Sequence, residues 1–316
     1  MFEIKDYPEF SWSLSRHKTL MECPRQYAYQ YYTSHNGWLK NAEPVSRHAY
    51  RLKKLTSLEM LFGSEVHDII EEVITYYLKT ERVPSEEQLT ERVKDRMNRA
   101  FIHSTRHLDD WLNKPKHWDM LHEIYYGESR LPSDKVSKMK SRLEVVIAHF
   151  LSSRTFQDIL NKEKMQFIEA ENFRHLMVGQ LKVFVVLDLV YKDKEQNKWI
   201  IVDWKTGKKS EEDPYQLALY ALYLQEAFSI KDLDDIVIRN EYLLEGTYEE
   251  HQLSPVTLEK VQELMGMSVD RMFDYLEEPG INRPLSIESF EQTTDTRKCS
   301  RCNFLEFCFP SKEPRS

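Results

Sequence analysis

The chain of 316 residues carries 44 Lys and Arg against 52 Asp and Glu, a formal net charge of -8. It is long enough for one large domain or two with a sizeable core, and its acidic balance argues against a protein that coats duplex DNA through a generally basic surface. Glycine is scarce, no apolar run is long enough to span a membrane, and no basic-then-apolar leader follows Met1, so the expectation is a soluble, cytoplasmic protein with no membrane partner.

In chain order, Ser11, Ser13 and Ser15 are N-cap candidates for a helix through Leu20, and Pro24 can open a further turn. Tyr27, Tyr29, Tyr31 and Tyr32 follow Cys23; the simpler reading packs most of them against the body with one edge wet, and the functional alternative stacks them on bases. Residues 36–57 are polar, basic and weakly periodic, which predicts a loop or mobile flap. The next helix sets Gly63, His67 and Glu71 four residues apart on one face. Imidazole is a competent metal ligand there, and Gly63 admits the close approach of another backbone. Residues 80–153 predict three or four helices, with Leu143, Val146, Ile147 and Phe150 at helical spacing. His103 and His107 stand four apart but lack a third ligand at a zinc-binding offset. The stretch therefore reads as a solvated helical insertion, with Trp111, Trp118, Tyr125 and Tyr126 available as a clamp over a strand of nucleic acid.

A β-rich part begins near Lys164. Within residues 179–220 a strand ends near Asp188, a charged turn over 193–197 folds back, and a short strand carries Asp203 and Lys205. Asp203 and Lys205 lie two apart on extended chain, so their side chains leave one face, and the hairpin brings Asp188 beside them. Two carboxylates with a lysine bind hard divalent cations and orient water, which points to metal-dependent phosphodiester cleavage. Glu171 is a further candidate for the same cleft. A helix with Gln216 and Tyr220 on one face follows, then strands near 235–243 and 248–253 and a helix from Pro255 to about Glu277. Sheet in the middle with helices around it gives an α/β or α+β architecture. Lys205, Lys208, Lys209, Arg16, Lys18 and Arg25 are available for a local basic strip, although each alone reads as a solvated charge. The four cysteines, Cys23 and then Cys299-x2-Cys302-x5-Cys308, suit an intracellular metal or cluster site better than a secreted disulfide scaffold.

Six motifs then stand in order: CPR with Cys23, G-x3-H-x3-E with His67, Asp188, D-W-K-T-G with Asp203 and Lys205, Q-x3-Y with Gln216 and Tyr220, and C-x2-C-x5-C. In this the chain resembles the PD-(D/E)XK nucleases, specifically their iron–sulfur branch, which is RecB/AddB-like and CRISPR-associated adaptation nuclease-like. The resemblance leaves residues 80–153 unmatched. It implies a restriction-endonuclease-like fold in one domain over 1–316: a central mixed sheet flanked by helices, a helical insertion at 80–153, and an iron–sulfur staple from 13–32 and 297–310.

The resemblance also implies that His67, Asp188 and Asp203, with the carbonyl of Trp204, hold one or two Mg²⁺ or Mn²⁺ ions. Lys205 would position the attacking water or stabilise the transition state, and Gln216 with Tyr220 would hold the substrate strand or the lysine. Cys23, Cys299, Cys302 and Cys308 would ligate a [4Fe-4S] cluster, zinc being the chemical alternative for four thiolates. Tying Cys23 to Cys299 closes a loop of about 275 residues, for which the closure term is roughly 5 kcal/mol. Where the family commonly has a glycine three residues before the aspartate of the second motif, this chain has Val185; Glu171 aligns with a frequent family glutamate. The implied activity is that of a metal-dependent DNA nuclease, an exonuclease on single-stranded DNA or DNA ends, in repair, defence or CRISPR spacer acquisition. With no G-x4-G-K-[ST] motif in the chain, ATP-driven unwinding falls to a helicase partner. The alternative is a non-catalytic DNA-binding or scaffolding subunit, against which the intact His67, Asp188, Asp203 and Lys205 speak. A zinc-stapled RNA-processing protein has less support, because no RNP or KH signature is visible.

Overall fold

Ser13 caps the first helix: its side chain accepts the Arg16 N–H at 3.2 Å, and α1 runs Leu14–Glu22. Pro24 occupies the first position of α2 (Pro24–Ala28) behind Cys23, whose sulfur serves as the cap. The loop expected over 36–57 is interrupted by a helix, α3 (Pro44–Leu52), which Pro44 opens and which buries Ala49 and Leu52. Its apolar stripe is short and is crowded by Arg47, Arg51 and the lysines that follow, so the periodicity is easily overlooked. The computed structural model describes residues 4–127, 129–209 and 213–310, apart from the side chains of 171–173, 213–215 and 217.

The helices continue as α4 (Leu58–Thr80), α5 (Glu86–Arg106), α6 (Leu108–Asn113), α7 (His122–Tyr125), α8 (Ser133–Ser152) and α9 (Arg154–Leu160). Then come β1 (Met165–Val178), β2 (Leu181–Asp193), β3 (Lys198–Lys205), α10 (Asp213–Phe228), β4 (Ile236–Tyr242), β5 (Thr247–Gln252) and α11 (Pro255–Phe273). The chain closes with β6 (Leu276–Glu278), β7 (Arg283–Pro284), α12 (Thr296–Cys299) and α13 (Leu305–Cys308). Helix α11 stops short of the expected Glu277 because Leu276 enters the β6–β7 pair. Among the described residues no helix is long and apolar enough to cross a membrane.

The chain divides into two compact units. One comprises residues 59–97 and 133–264 and contains a five-stranded sheet in the order β1-β2-β3-β4-β5. Neighbouring strands are antiparallel except β3 and β4, which run parallel with α10 as the crossover between them. The result is an α/β fold with a central mixed sheet flanked by helices, as expected. Alternation along β3 assigns the faces: Asp203 and Lys205 point toward α10, and Trp204 points the other way, meeting Phe150 of α8 edge-on at 5.4 Å. On the α8 and α9 side, the buried Arg239 of β4 donates to Tyr191 at 2.8 Å, Asp158 at 2.9 Å and Thr155 at 3.1 Å. Its other terminal nitrogen reaches Glu250 at 2.7 Å, so the buried charge is fully paired and fixes α9 to the sheet.

The other unit comprises residues 1–58, 98–132 and 265–316. Its core gathers Tyr29, Ala49, Leu52, Leu55, Trp111, Met120, Tyr125 and Phe304. Trp111 and Tyr125, expected as part of a clamp over nucleic acid, are therefore core residues, and Trp118 and Tyr126 pack partly buried beside them. The helical stretch is in this respect less solvated than its polar composition predicts. His103 bonds Asp119 at 2.9 Å and packs against Trp118, which gives it a structural role. Of the four clustered tyrosines, Tyr27 and Tyr29 are buried while Tyr31 and Tyr32 keep an accessible edge, matching the packing reading.

Candidate active site

Hairpin β2–β3 does what the spacing predicts. Its antiparallel register pairs Leu189 with Val202, and the next step along brings Asp188 level with Asp203. The Trp204 N–H donates to Asp188 Oδ2 at 2.8 Å. His67, from α4, sets its Nδ1 3.4 Å from that same carboxylate oxygen. Asp203 is 3% exposed and ion-pairs through Oδ2 with Lys205 Nζ at 2.8 Å. Burial, followed by the charge of Asp188, pushes the Asp203 carboxyl up to about 7, and Lys205 and His67 pull against that shift.

Gln216 of α10 ties the group together. Its Oε1 accepts from Lys205 Nζ at 3.1 Å and its Nε2 donates to Asp203 Oδ1 at 3.1 Å and to the Tyr220 hydroxyl. An ammonium only donates and a carboxylate only accepts, so these partners define one orientation of the amide. Gln216 thus touches the lysine and the aspartate directly, and Tyr220, one helical turn on, meets them through the Gln216 amide.

Three further positions refine the sequence reading. Gly63 of α4 gives room to Thr206, the residue after Lys205: a Cβ at position 63 would lie 3.2 Å from the Thr206 Oγ1. The close approach is thus to a side chain rather than to another backbone. We expect Gly63→Ala to lower turnover by up to about 10-fold through displacement of the segment carrying Lys205. Adding Thr206→Ala should restore turnover, and steady-state kinetics on the single and double variants would check this coupling. Val185 leaves β2 on the face opposite Asp188, since Val183, Val185 and Leu187 are buried and Val186 is exposed. Any influence of its bulk therefore runs through the sheet. The Glu171 side chain lies outside the described residues.

Asn240 was not anticipated. It sits beside Asp203 in the parallel β3–β4 register, is fully buried, and has no hydrogen-bond partner for either side-chain polar atom among the described residues. The signal was present as the polar run Arg239-Asn240-Glu241 in an otherwise apolar strand.

Two donor sets are candidates for bound metal. His67, Asp188, Asp203 and the Trp204 carbonyl offer nitrogen and oxygen, and the mutual crowding of the two carboxylates is a cost that a divalent cation offsets. Cys23, Cys299, Cys302 and Cys308, none of them in a disulfide, line one cavity with Tyr29, Phe304 and Leu305. Cys23 Sγ accepts the Gln26 N–H at 3.5 Å and Cys302 Sγ the Phe304 N–H at 3.4 Å. Burial pushes the Cys302 thiol up to about 12, and the other three sulfurs add to the shift. In number and softness these donors fit a four-thiolate group. Among the described residues, however, no group of three or more His, Cys, Asp or Glu side chains converges as a metal-holding set. Of the residues expected in a basic strip, Lys205 belongs to the site, Lys209 pairs with Glu249, and Arg25 donates to the Phe290 carbonyl at 2.7 Å.

Compared with known proteins, residues 11–309 match the sequence model of the PD-(D/E)XK nuclease superfamily. No curated protein matches the chain.

Proposed function

Because the chain belongs to the PD-(D/E)XK nuclease superfamily, we propose that it is a metal-dependent deoxyribonuclease of the iron–sulfur branch, acting as an exonuclease on single-stranded DNA or DNA ends. The observation that carries this reading is the lock of Lys205, Asp203 and Gln216 beside Asp188 and His67. A chain kept only as a scaffold has no use for a buried acid and lysine held in register by a third side chain. Asp188, Asp203 and His67, with the Trp204 carbonyl, would hold Mg²⁺ or Mn²⁺. Such an ion, when bound, supplies a Lewis acid that activates water and offsets charge on the phosphate.

The remaining work falls to the chain itself. Gln216 holds Lys205 Nζ toward Asp203 Oδ2, where the ammonium can orient a water or meet charge growing on a phosphate oxygen. Tyr220 holds the other side of the Gln216 amide, so the lysine is positioned before substrate arrives. Cys23, Cys299, Cys302 and Cys308 would carry a [4Fe-4S] cluster joining the segments 13–32 and 297–310. A helicase or other DNA-processing subunit would supply the single strand.

The test is purification without oxygen, a visible absorption spectrum, and a Mg²⁺ or Mn²⁺ assay on strands labelled at either end and on circular single strands. The expected result is a brown protein that shortens linear strands from an end and spares circles. A colourless protein inert with both metals would overturn the reading.

A further inference from the structure

The chain is acidic overall, yet in the unit formed by residues 1–58, 98–132 and 265–316 several cations of α1 and α3 gather unpaired by any carboxylate among the described residues. The Arg16 guanidinium of α1 lies 4.4 Å from the centre of the Tyr31 ring, and Lys53, just past α3, places Nζ 5.3 Å from that ring. Lys54 places Nζ 5.5 Å from the Tyr50 ring, which in turn meets the Trp38 ring at 5.8 Å. Arg47 and Arg51 donate only to main-chain carbonyls, of Lys40, Ala42 and Leu112. Among the described residues, none of Arg16, Arg47, Arg51, Lys53 and Lys54 has a carboxylate partner.

This arrangement is electrostatically costly in the free protein. Burial, then Arg16 and Lys54, push the Lys53 ammonium down to about 8; burial and then Arg47 lower Arg51. A surface that accumulates like charge left unpaired favours the arrival of an anion. The rings identify the anion further. Trp38 is 52% exposed, a large aromatic side chain half open to solvent, and His35 and Tyr50 meet its ring at steep angles, 6.0 and 5.8 Å away. Gly37 is what brings Trp38 to α3, since a Cβ there would lie 2.2 Å from the Ser46 carbonyl oxygen. Cations interleaved with an exposed ring match a strand whose phosphates and unpaired bases alternate; a duplex hides its base faces, and a lipid surface has none.

We propose that Arg16, Lys53 and Lys54 with Tyr31, Tyr50 and Trp38 form a binding surface for single-stranded DNA, the cations taking phosphates and Trp38 stacking on a base. Only the choice of DNA rests on the nuclease reading. This surface requires neither the catalytic carboxylates nor their metal.

The test is binding of the full-length chain to fluorescein-labelled oligo-dT in EDTA, followed by anisotropy across a salt series. Each lost phosphate contact on a single strand lowers the slope of log affinity against log salt by about 0.7, so the variant R16A/K53A/K54A should lose about 2 from it. Trp38→Ala should weaken binding about 5- to 100-fold with the slope unchanged. The charge-retaining variant R16K/K53R/K54R should keep the wild-type slope. An unchanged slope in R16A/K53A/K54A overturns the proposal, as does an equal loss in the charge-retaining variant, which would trace the effect to folding. Vesicles of phosphatidylserine and phosphatidylcholine are the competing ligand: binding to them that depends on Lys53 and Lys54, with oligo-dT unaffected, also overturns it. A wild-type chain that binds oligo-dT as described but cleaves nothing with Mg²⁺ or Mn²⁺ would sink the nuclease reading and leave this surface standing.

Discussion

Asp203→Asn should reduce cleavage by about 1,000-fold or more, the equivalent of ~4 kcal/mol of transition-state stabilisation, while leaving the chain folded. Asparagine keeps the shape of the side chain and an oxygen for Gln216 Nε2, so the packing between β3 and α10 is retained. What disappears is the negative charge that faces Lys205 and that, in the proposed function, would hold the metal. The folded state has little reason to miss that charge, because burial and the neighbouring Asp188 already disfavour it enough to push the carboxyl up to about 7. The melting temperature of the metal-free variant should therefore equal or exceed that of the wild type. Single-turnover cleavage of an end-labelled strand, read beside a thermal melt, separates the two effects. Undiminished cleavage by Asp203→Asn would mean that the active site lies elsewhere.

Cys302→Ala should have the second largest effect, this time on stability. In the proposed staple, Cys23 and Cys299 are joined through the cluster across about 275 residues, for which loop closure is worth roughly 5 kcal/mol before strain. Loss of one thiolate should remove iron and sulfide together and bleach the visible band. Truncating a cysteine that packs against Phe304 and its neighbours also costs something by itself, on the order of 1 kcal/mol. The informative comparison is therefore between wild type stripped of iron and the variant: these two should melt within a few degrees of each other, both well below the loaded wild type. Equal melting temperatures for loaded wild type and Cys302→Ala would eliminate the staple.

The parts of this architecture that could be read from the chain are those set by short-range periodicity. A spacing of two along β3 places Asp203 and Lys205 on one face, and a spacing of four along α10 places Gln216 and Tyr220 on one face. A charged turn after Asp188 closes the hairpin. What escaped depended on tertiary partners. Helix α3 buries little more than Ala49 and Leu52, so its stripe is too thin to register among five neighbouring cations, Lys40, Arg47, Arg51, Lys53 and Lys54. Trp111 and Tyr125 looked available for a ligand because their segment is polar, yet the core that takes them is completed by Phe304, nearly two hundred residues further on. Asn240 gave only a polar letter in an apolar strand, and its position beside Asp203 follows from the parallel pairing across α10.

The division of the chain also sets an order of assembly. The unit holding the sheet is complete once residue 264 has been made, and its contacts lie along a largely continuous run from 133 onward. The cysteine-bearing unit is drawn from three separated segments, the last beginning at Met265. During synthesis the first 58 residues can meet 98–132, as Thr56 meets Leu121, but the grouping of Cys23 with Cys299, Cys302 and Cys308 has to wait for the last segment. A group held by all four thiols, as proposed above, would therefore be inserted late, after Cys23 has spent the intervening time without the other three.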